Sequence, residues 1–276
     1  MAILKSVALA FGMFSAVPVP RVEWSEKNLR YMLCAFPLVG AVIGGVTMGF
    51  FLLTAFFCRH ADFLPRLLPL ALVLIPIAVT GGIHLDGFMD TCDALASHAD
   101  REKKLAILKD SHAGAFAVLG CVLYVLADFA LATEFVRFLF ADGEVVSIGL
   151  FLRAKGGAIV CFAAVFVQSR LLSAFSVATF PIAKDSGLVR TFSDASAKCV
   201  TAVWCAAWFV AISAVLVWFS RWNGVFSVGT MLIVFGGYFL MTRRHFGGIT
   251  GDTAGWFVQM AELLCLFALI VTMEVV

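Results

Sequence analysis

The sequence predicts an all-α, polytopic transmembrane bundle of about six to seven spans, with its candidate active-site loops on the cytoplasmic side. Three observations carry that prediction. The 276 residues are 62% hydrophobic and only 14% charged, where soluble domains carry about a quarter charged residues, and mean hydropathy is +1.00. Several apolar runs reach the ~20 residues that a helix needs to cross a bilayer. The charges gather in short polar islands between those runs. A net charge of +2 and the absence of a basic patch exclude nucleic acid as an expected partner; the lipid bilayer is the expected surroundings.

The chain reads as one integral membrane domain, 1–276. Residues 1–32 open on MAILKSVALAFGMFSAVPVP, which has the outline of a signal peptide. Only Lys5 precedes its apolar core, and Pro18-Val19-Pro20 leads into the polar residues Glu23, Trp24, Glu26, Lys27 and Arg30. An interfacial or re-entrant segment is therefore expected, not a cleaved leader. A first span covers about 33–57, with Gly40, Gly44, Gly45 and Gly49 as a small-residue packing face. A second follows Arg66 and ends at Gly81-Gly82. Further spans lie at about 113–132, 156–180 (interrupted by Gln168, Ser169 and Arg170), 199–219, 224–242 and from Gly255 onward. Residues 133–155 are mixed, and the run 145–151 leaves that boundary open. The eight cysteines form no CxxC pair and read as small core residues.

If the spans alternate, the N-terminal segment and the loops 81–112, 181–198 and 243–254 share one side. Together they hold thirteen Lys and Arg, against six in the opposite loops. The positive-inside bias places the first group in the cytoplasm, and the protein in the cytoplasmic (inner) membrane as a multi-pass protein. Two polar islands then meet on one face.

The first island, 81–112, is the acidic one. Asp86, Asp90 and Asp93 stand at i, i+4 and i+7, which on a helix confines them to an arc of roughly 60°. Three stacked carboxylates repel one another unless a cation lies between them, and hard oxygen ligands suit Mg²⁺ or Mn²⁺. His84 lies roughly 200° from Asp86 on a continuous helix, so it is expected on the preceding turn, within reach of a phosphate or a proton transfer. Lys109, Asp110 and Ser111 close the island. The second island, 243–255, joins Arg243, Arg244 and His245 to Gly247, Gly248, Gly251, Asp252 and Gly255. Its glycines allow close backbone approach to a ligand at a helix N-terminus. Asp252 is either an N-cap or a site residue, and Glu262, an acid inside a span, is a functional candidate. Carboxylates, glycine turns and basic residues at a membrane face suggest metal-assisted phosphoryl transfer.

At GGIHLDGFMDTCDAL (81–95) the chain resembles the cobalamin synthase family, the adenosylcobinamide-GDP ribazoletransferases. The likeness extends through PVPR at 18–21, FPLVG at 36–40, LKDSHAG at 108–114, Ser169-Arg170 and GGITGDTAG at 247–255. Ala94, Ala117 and Trp256 depart from the family pattern at packing positions. The resemblance implies an Mg²⁺-dependent transferase that joins adenosylcobinamide-GDP to α-ribazole or its 5′-phosphate and releases GMP. It further implies Asp86, Asp90 and Asp93 as metal ligands, with His84, Lys109 and Asp252 completing the catalytic set. Asp110, Ser111, Arg170, Gly248, Gly251 and Glu262 are expected to bind substrate. A homo-oligomer and neighbouring enzymes of the cobamide pathway are admitted as further partners. Two other readings compete. A cation-coupled transporter would place its acids near the bilayer midplane, and a CDP-alcohol phosphotransferase would need a longer Asp motif than this chain has.

Overall fold

The computed structural model describes residues 2–58, 63–140, 147–183 and 187–275. In chain order the helices are α1 (Ala2–Phe14), α2 (Glu26–Leu29), α3 (Met32–Phe57), α4 (Leu64–Thr80), α5 (Ile83–Ala96) and α6 (Arg101–Ile107), then α7 (Ala115–Phe140), α8 (Ile148–Thr179), α9 (Leu188–Ala195), α10 (Lys198–Ser220), α11 (Trp222–His245) and α12 (Gly251–Val275). Helices α3, α7, α8, α10, α11 and α12 are long and apolar enough to cross a membrane. In hydrocarbon a helix is the local structure that satisfies every backbone N–H and C=O within its own segment. Helices α4 and α5 form a seventh candidate as a pair bent by 95°. The bend falls at Gly81 and Gly82, both with positive φ (65° and 81°), a conformation that costs glycine little. The chain is a multi-pass membrane protein.

Two expected boundaries move. Helix α7 runs on to Phe140, and α8 begins at Ile148 and continues unbroken through Gln168, Ser169 and Arg170. The charges that seemed to end these spans are accommodated on helix surfaces instead. Glu134 and Arg137 pair at 2.6 Å one turn apart, and Lys155 lies 4.1 Å from the centre of the Phe138 ring. Residues 141–146, inside the stretch whose boundary the sequence leaves open, are outside the described residues.

Helices α3 and α8 form the centre of the bundle. A Cβ added at Gly40 would lie 2.6 Å from the Phe166 carbonyl carbon, and one at Gly44 would lie 2.6 Å from the Ala163 oxygen; at Gly45 and Gly49 it would meet nothing. Half of the expected small-residue face is therefore the contact, and half faces outward. Gly40→Ala is expected to lower stability by about 1–3 kcal/mol through overpacking, while Gly45→Ala leaves it unchanged or slightly raised. Thermal unfolding of both variants in detergent checks this, and equal melting temperatures would refute the packing account.

The four segments expected on one side do meet at one end of the bundle. The Ala16 N–H donates to Val79 O (2.8 Å), and the Ala197 N–H donates to Arg30 O (3.1 Å). An isolated parallel bridge joins Ile182 to Ile249. The second island is thus fastened to the segment after α8, beside the start of α5.

Candidate active site

The site is built on a helix crossing. A Cβ at Gly87 of α5 would lie 2.8 Å from Asp252 Cα and 2.9 Å from Asp252 O, and one at Gly255 of α12 would lie 2.9 Å from His84 O. Two glycines, one in each motif, therefore let the backbones of α5 and α12 touch. This contact carries Asp252 onto the acidic face. Asp90 lies within electrostatic reach of Asp86, Asp252 and Asp93. From the crossing α5 continues against the first third of α7, with Phe88 on Tyr124 (ring centroids 5.1 Å) and Cys92 against Gly120. The acidic stretch is thus a packed element of the bundle, not a loop between spans.

Asp252 is not the cap of α12. The Thr250 N–H donates to Thr253 Oγ1 (2.9 Å) and the Thr253 N–H donates to Thr250 Oγ1 (3.2 Å), a reciprocal capping box with Thr250 as N-cap. Asp252 falls in the first turn, where the helix dipole favours a carboxylate, and the Thr250 hydroxyl donates to its Oδ2 (3.3 Å). With Gly251 and Gly255 it borders a cavity of about 270 Å³, also lined by His84, Asp86, Gly87 and Ser173. Gly248 is pinned elsewhere: a Cβ there would meet Pro181 O at 2.5 Å and Ala183 N at 2.7 Å. Its role is to fasten the loop.

His84 is helical, in the first turn of α5, and not on the turn before it. It is buried, its ring lies 5.7 Å from that of Phe36, and its Nδ1 has no hydrogen-bond partner among the described residues. Placement on one helix with Asp86 is compatible with a shared cavity because the cavity opens between α3, α5, α8 and α12 and so touches both sides of α5. Asp93 stays within electrostatic reach of Asp90 but is engaged by α7. Its carboxylate lies against Gly114 and accepts from the Ala117 N–H (3.3 Å), which caps the start of α7. Lys109, Asp110 and Ser111 sit on the exposed turn between α6 and α7. The His112 backbone N–H (3.0 Å) and ring nitrogen (2.8 Å) engage Asp110 and hold its carboxyl below the usual range. No hydrogen bond or ion pair among the described residues links this turn to Asp86, Asp90 or Asp252.

Arg170 and Glu262 do not line the cavity. They form a buried ion pair between α8 and α12, Nη1 to Oε1, with side chains 1% and 8% exposed. Arg170 Nη1 also donates to Phe166 O (3.0 Å) and Ser169 Oγ (3.0 Å), and Ser169 donates to Glu262 Oε1 (3.0 Å). The Arg170 charge acts on His84, so the pair lies just beneath the site. Both border a small void of about 20 Å³, together with Tyr124, Gln259 and Asp128, large enough for a water. Sequence reasoning missed Asp128. Its signal was available, since an acid inside an apolar run is a functional candidate by position alone.

Among the described residues no three His, Cys, Asp or Glu side chains converge as a ready metal cage. Mg²⁺ does not require one, because it commonly takes one or two carboxylates and completes its shell with substrate phosphates and waters. Asp86 and Asp252 at one cavity, with Asp90 in reach, are hard oxygen donors that fit it.

The architecture and this mouth of carboxylates define a multi-pass membrane enzyme. Residues 6–270 match the model of the family described as cobalamin-5-phosphate synthase, and the chain belongs to that family; it is a transferase. It is similar to proteins named adenosylcobinamide-GDP ribazoletransferase. One, from Lachnoclostridium phytofermentans, is 38% identical over 99% of this chain and 96% of its own length. Another, from Clostridium perfringens, is 29% identical over 94% of each, and a third, from Fusobacterium nucleatum, is 26% identical over 97% of this chain and 98% of its own. No solved structure matches.

Proposed function

We propose that the protein is an adenosylcobinamide-GDP ribazoletransferase of the cytoplasmic membrane, with its site facing the cytoplasm. The substrates are adenosylcobinamide-GDP and α-ribazole or its 5′-phosphate; the products are adenosylcobalamin or its 5′-phosphate and GMP. The observation that carries this reading is the α5–α12 crossing, which sets Asp252 and Asp86 at one cavity with Asp90 in electrostatic reach. A transporter reading would put the acids on a midplane path, whereas Asp86 and Asp252 lie in the first turns of α5 and α12.

In the proposed step the ribazole 3′-hydroxyl oxygen forms a bond to the phosphorus that carries the cobinamide aminopropanol. The bond from that phosphorus to the bridging oxygen breaks, and GMP leaves with that oxygen. Mg²⁺, when bound, supplies charge neutralisation on the diphosphate. Asp86, Asp90 and Asp252 are the residues that would hold it. His84 is the cavity-lining base not needed for that task, and accepts the hydroxyl proton. Asp93 and the Arg170–Glu262 pair position α5 and α12 without touching substrate.

Purified protein supplied with both substrates and Mg²⁺ is expected to release one GMP per corrinoid product. Removal of divalent cations by chelator should abolish the release, and added Mg²⁺ should restore it. Well-folded protein that forms no product would overturn the assignment.

A further inference from the structure

A second cluster of polar side chains lies beside the glycine turn, where α6 meets the end of α11. Lys104 is 6% exposed, and its Nζ lies 3.1 Å from His245 Nδ1. An ammonium has no acceptor, so Lys104 donates, and His245 is neutral with its proton on Nε2. The Arg244 charge also acts on His245. Arg101 packs its guanidinium on Gly247, a residue at φ 73°, and Nη2 donates to Ala183 O (3.5 Å).

Some cations of the bundle have carboxylate partners: Arg137 has Glu134, Arg170 has Glu262, and Arg190 has Asp194. Arg243, next in sequence, stacks over the Phe239 ring at 5.4 Å. Lys104, Arg244 and Arg101 have no carboxylate within ion-pair distance among the described residues. Lys104 is covered by its neighbours while Arg244 and Arg101 are exposed beside it, so the cluster gathers three cations and a neutral imidazole at one turn, an arrangement that an anion would complete. Five residue steps lead from Gly247 to Asp252, which limits the distance between them to about 18 Å.

We propose that Lys104, His245, Arg244 and Arg101 form a binding site for a phosphate monoester, which in the transferase is the phosphate of the guanylate leaving group. The guanylate assignment rests on the function proposed above; the phosphate site rests on the cluster. A lipid headgroup offers the same chemistry at a membrane surface, and the test separates the two.

The experiment is equilibrium binding of GMP and of guanosine to the full chain in phosphatidylcholine nanodiscs, with no corrinoid or ribazole present. Lys104→Met removes the buried ammonium; Arg244→Gln removes an exposed charge and leaves the packing intact. Each is expected to weaken GMP binding about 10- to 100-fold, the range for a lost charge-assisted hydrogen bond, with guanosine binding unchanged. Wild type that fails to bind GMP, or Arg244→Gln that binds it as wild type does, overturns the site. GMP binding that disappears in wild type when phosphatidylglycerol replaces phosphatidylcholine assigns the cluster to lipid and overturns the guanylate role. Because no turnover is measured, a failed transferase assay leaves this result standing.

Discussion

Asp86→Asn is expected to lower turnover by about 10²–10³-fold or more, the scale on which removal of one preorganised electrostatic group acts, while the melting temperature stays near wild type. Asp86 is exposed at the cavity and has no side-chain hydrogen bond or ion pair to lose among the described residues. Asp93→Ala should behave in the opposite way although it belongs to the same acidic face in sequence. Its carboxylate caps α7 through the Ala117 N–H, so its replacement should cost about 1 kcal/mol of stability and much less activity. Turnover and thermal unfolding measured on both variants check the contrast. Equal losses of activity in the two would place Asp93 back in the metal shell.

The second large effect is on stability. Glu262→Gln leaves Arg170 charged and buried among α3, α8 and α12, and Arg170→Met leaves Glu262 likewise; each should cost about 3–5 kcal/mol. Replacing both at once, by Met and Gln, removes the orphaned charge and should recover much of that loss. The Arg170 side chain also lies against the Gly40 backbone, so the pair locks the α3–α8 contact that carries the bundle. Unfolding in detergent of the two single variants and the double variant gives the coupling. Additive losses would show that the two residues act independently.

The spans were legible because long apolar runs have one solution in a bilayer. The acids were legible because helical spacing puts Asp86, Asp90 and Asp93 on one arc. What the three then do was not, because the arc says nothing about the neighbour that each one meets. Asp93 meets the start of α7, and Asp86 meets the cavity. The glycines of the two motifs were visible as glycines, but only the register of α5 against α12 shows that Gly87 and Gly255 are a crossing point. For Asp252 the sequence left a cap and a site residue both open, and only the Thr250–Thr253 reciprocity shows that the cap is made by other side chains. The family resemblance set Arg170 and Glu262 among the expected substrate ligands, and their mutual pairing is a long-range contact that neither local sequence encodes. Lys104 went unnoticed for the same reason, since its burial depends on the end of α11.

The central claim is that the two islands make one site. It is tested most directly by turnover of Asp86→Asn, Asp252→Asn and the double variant in one series. Two carboxylates that hold one ion are strongly non-additive, so the double variant should be about as slow as the slower single variant. If the two losses multiply, Asp86 and Asp252 act separately, and the shared site at the α5–α12 crossing is wrong.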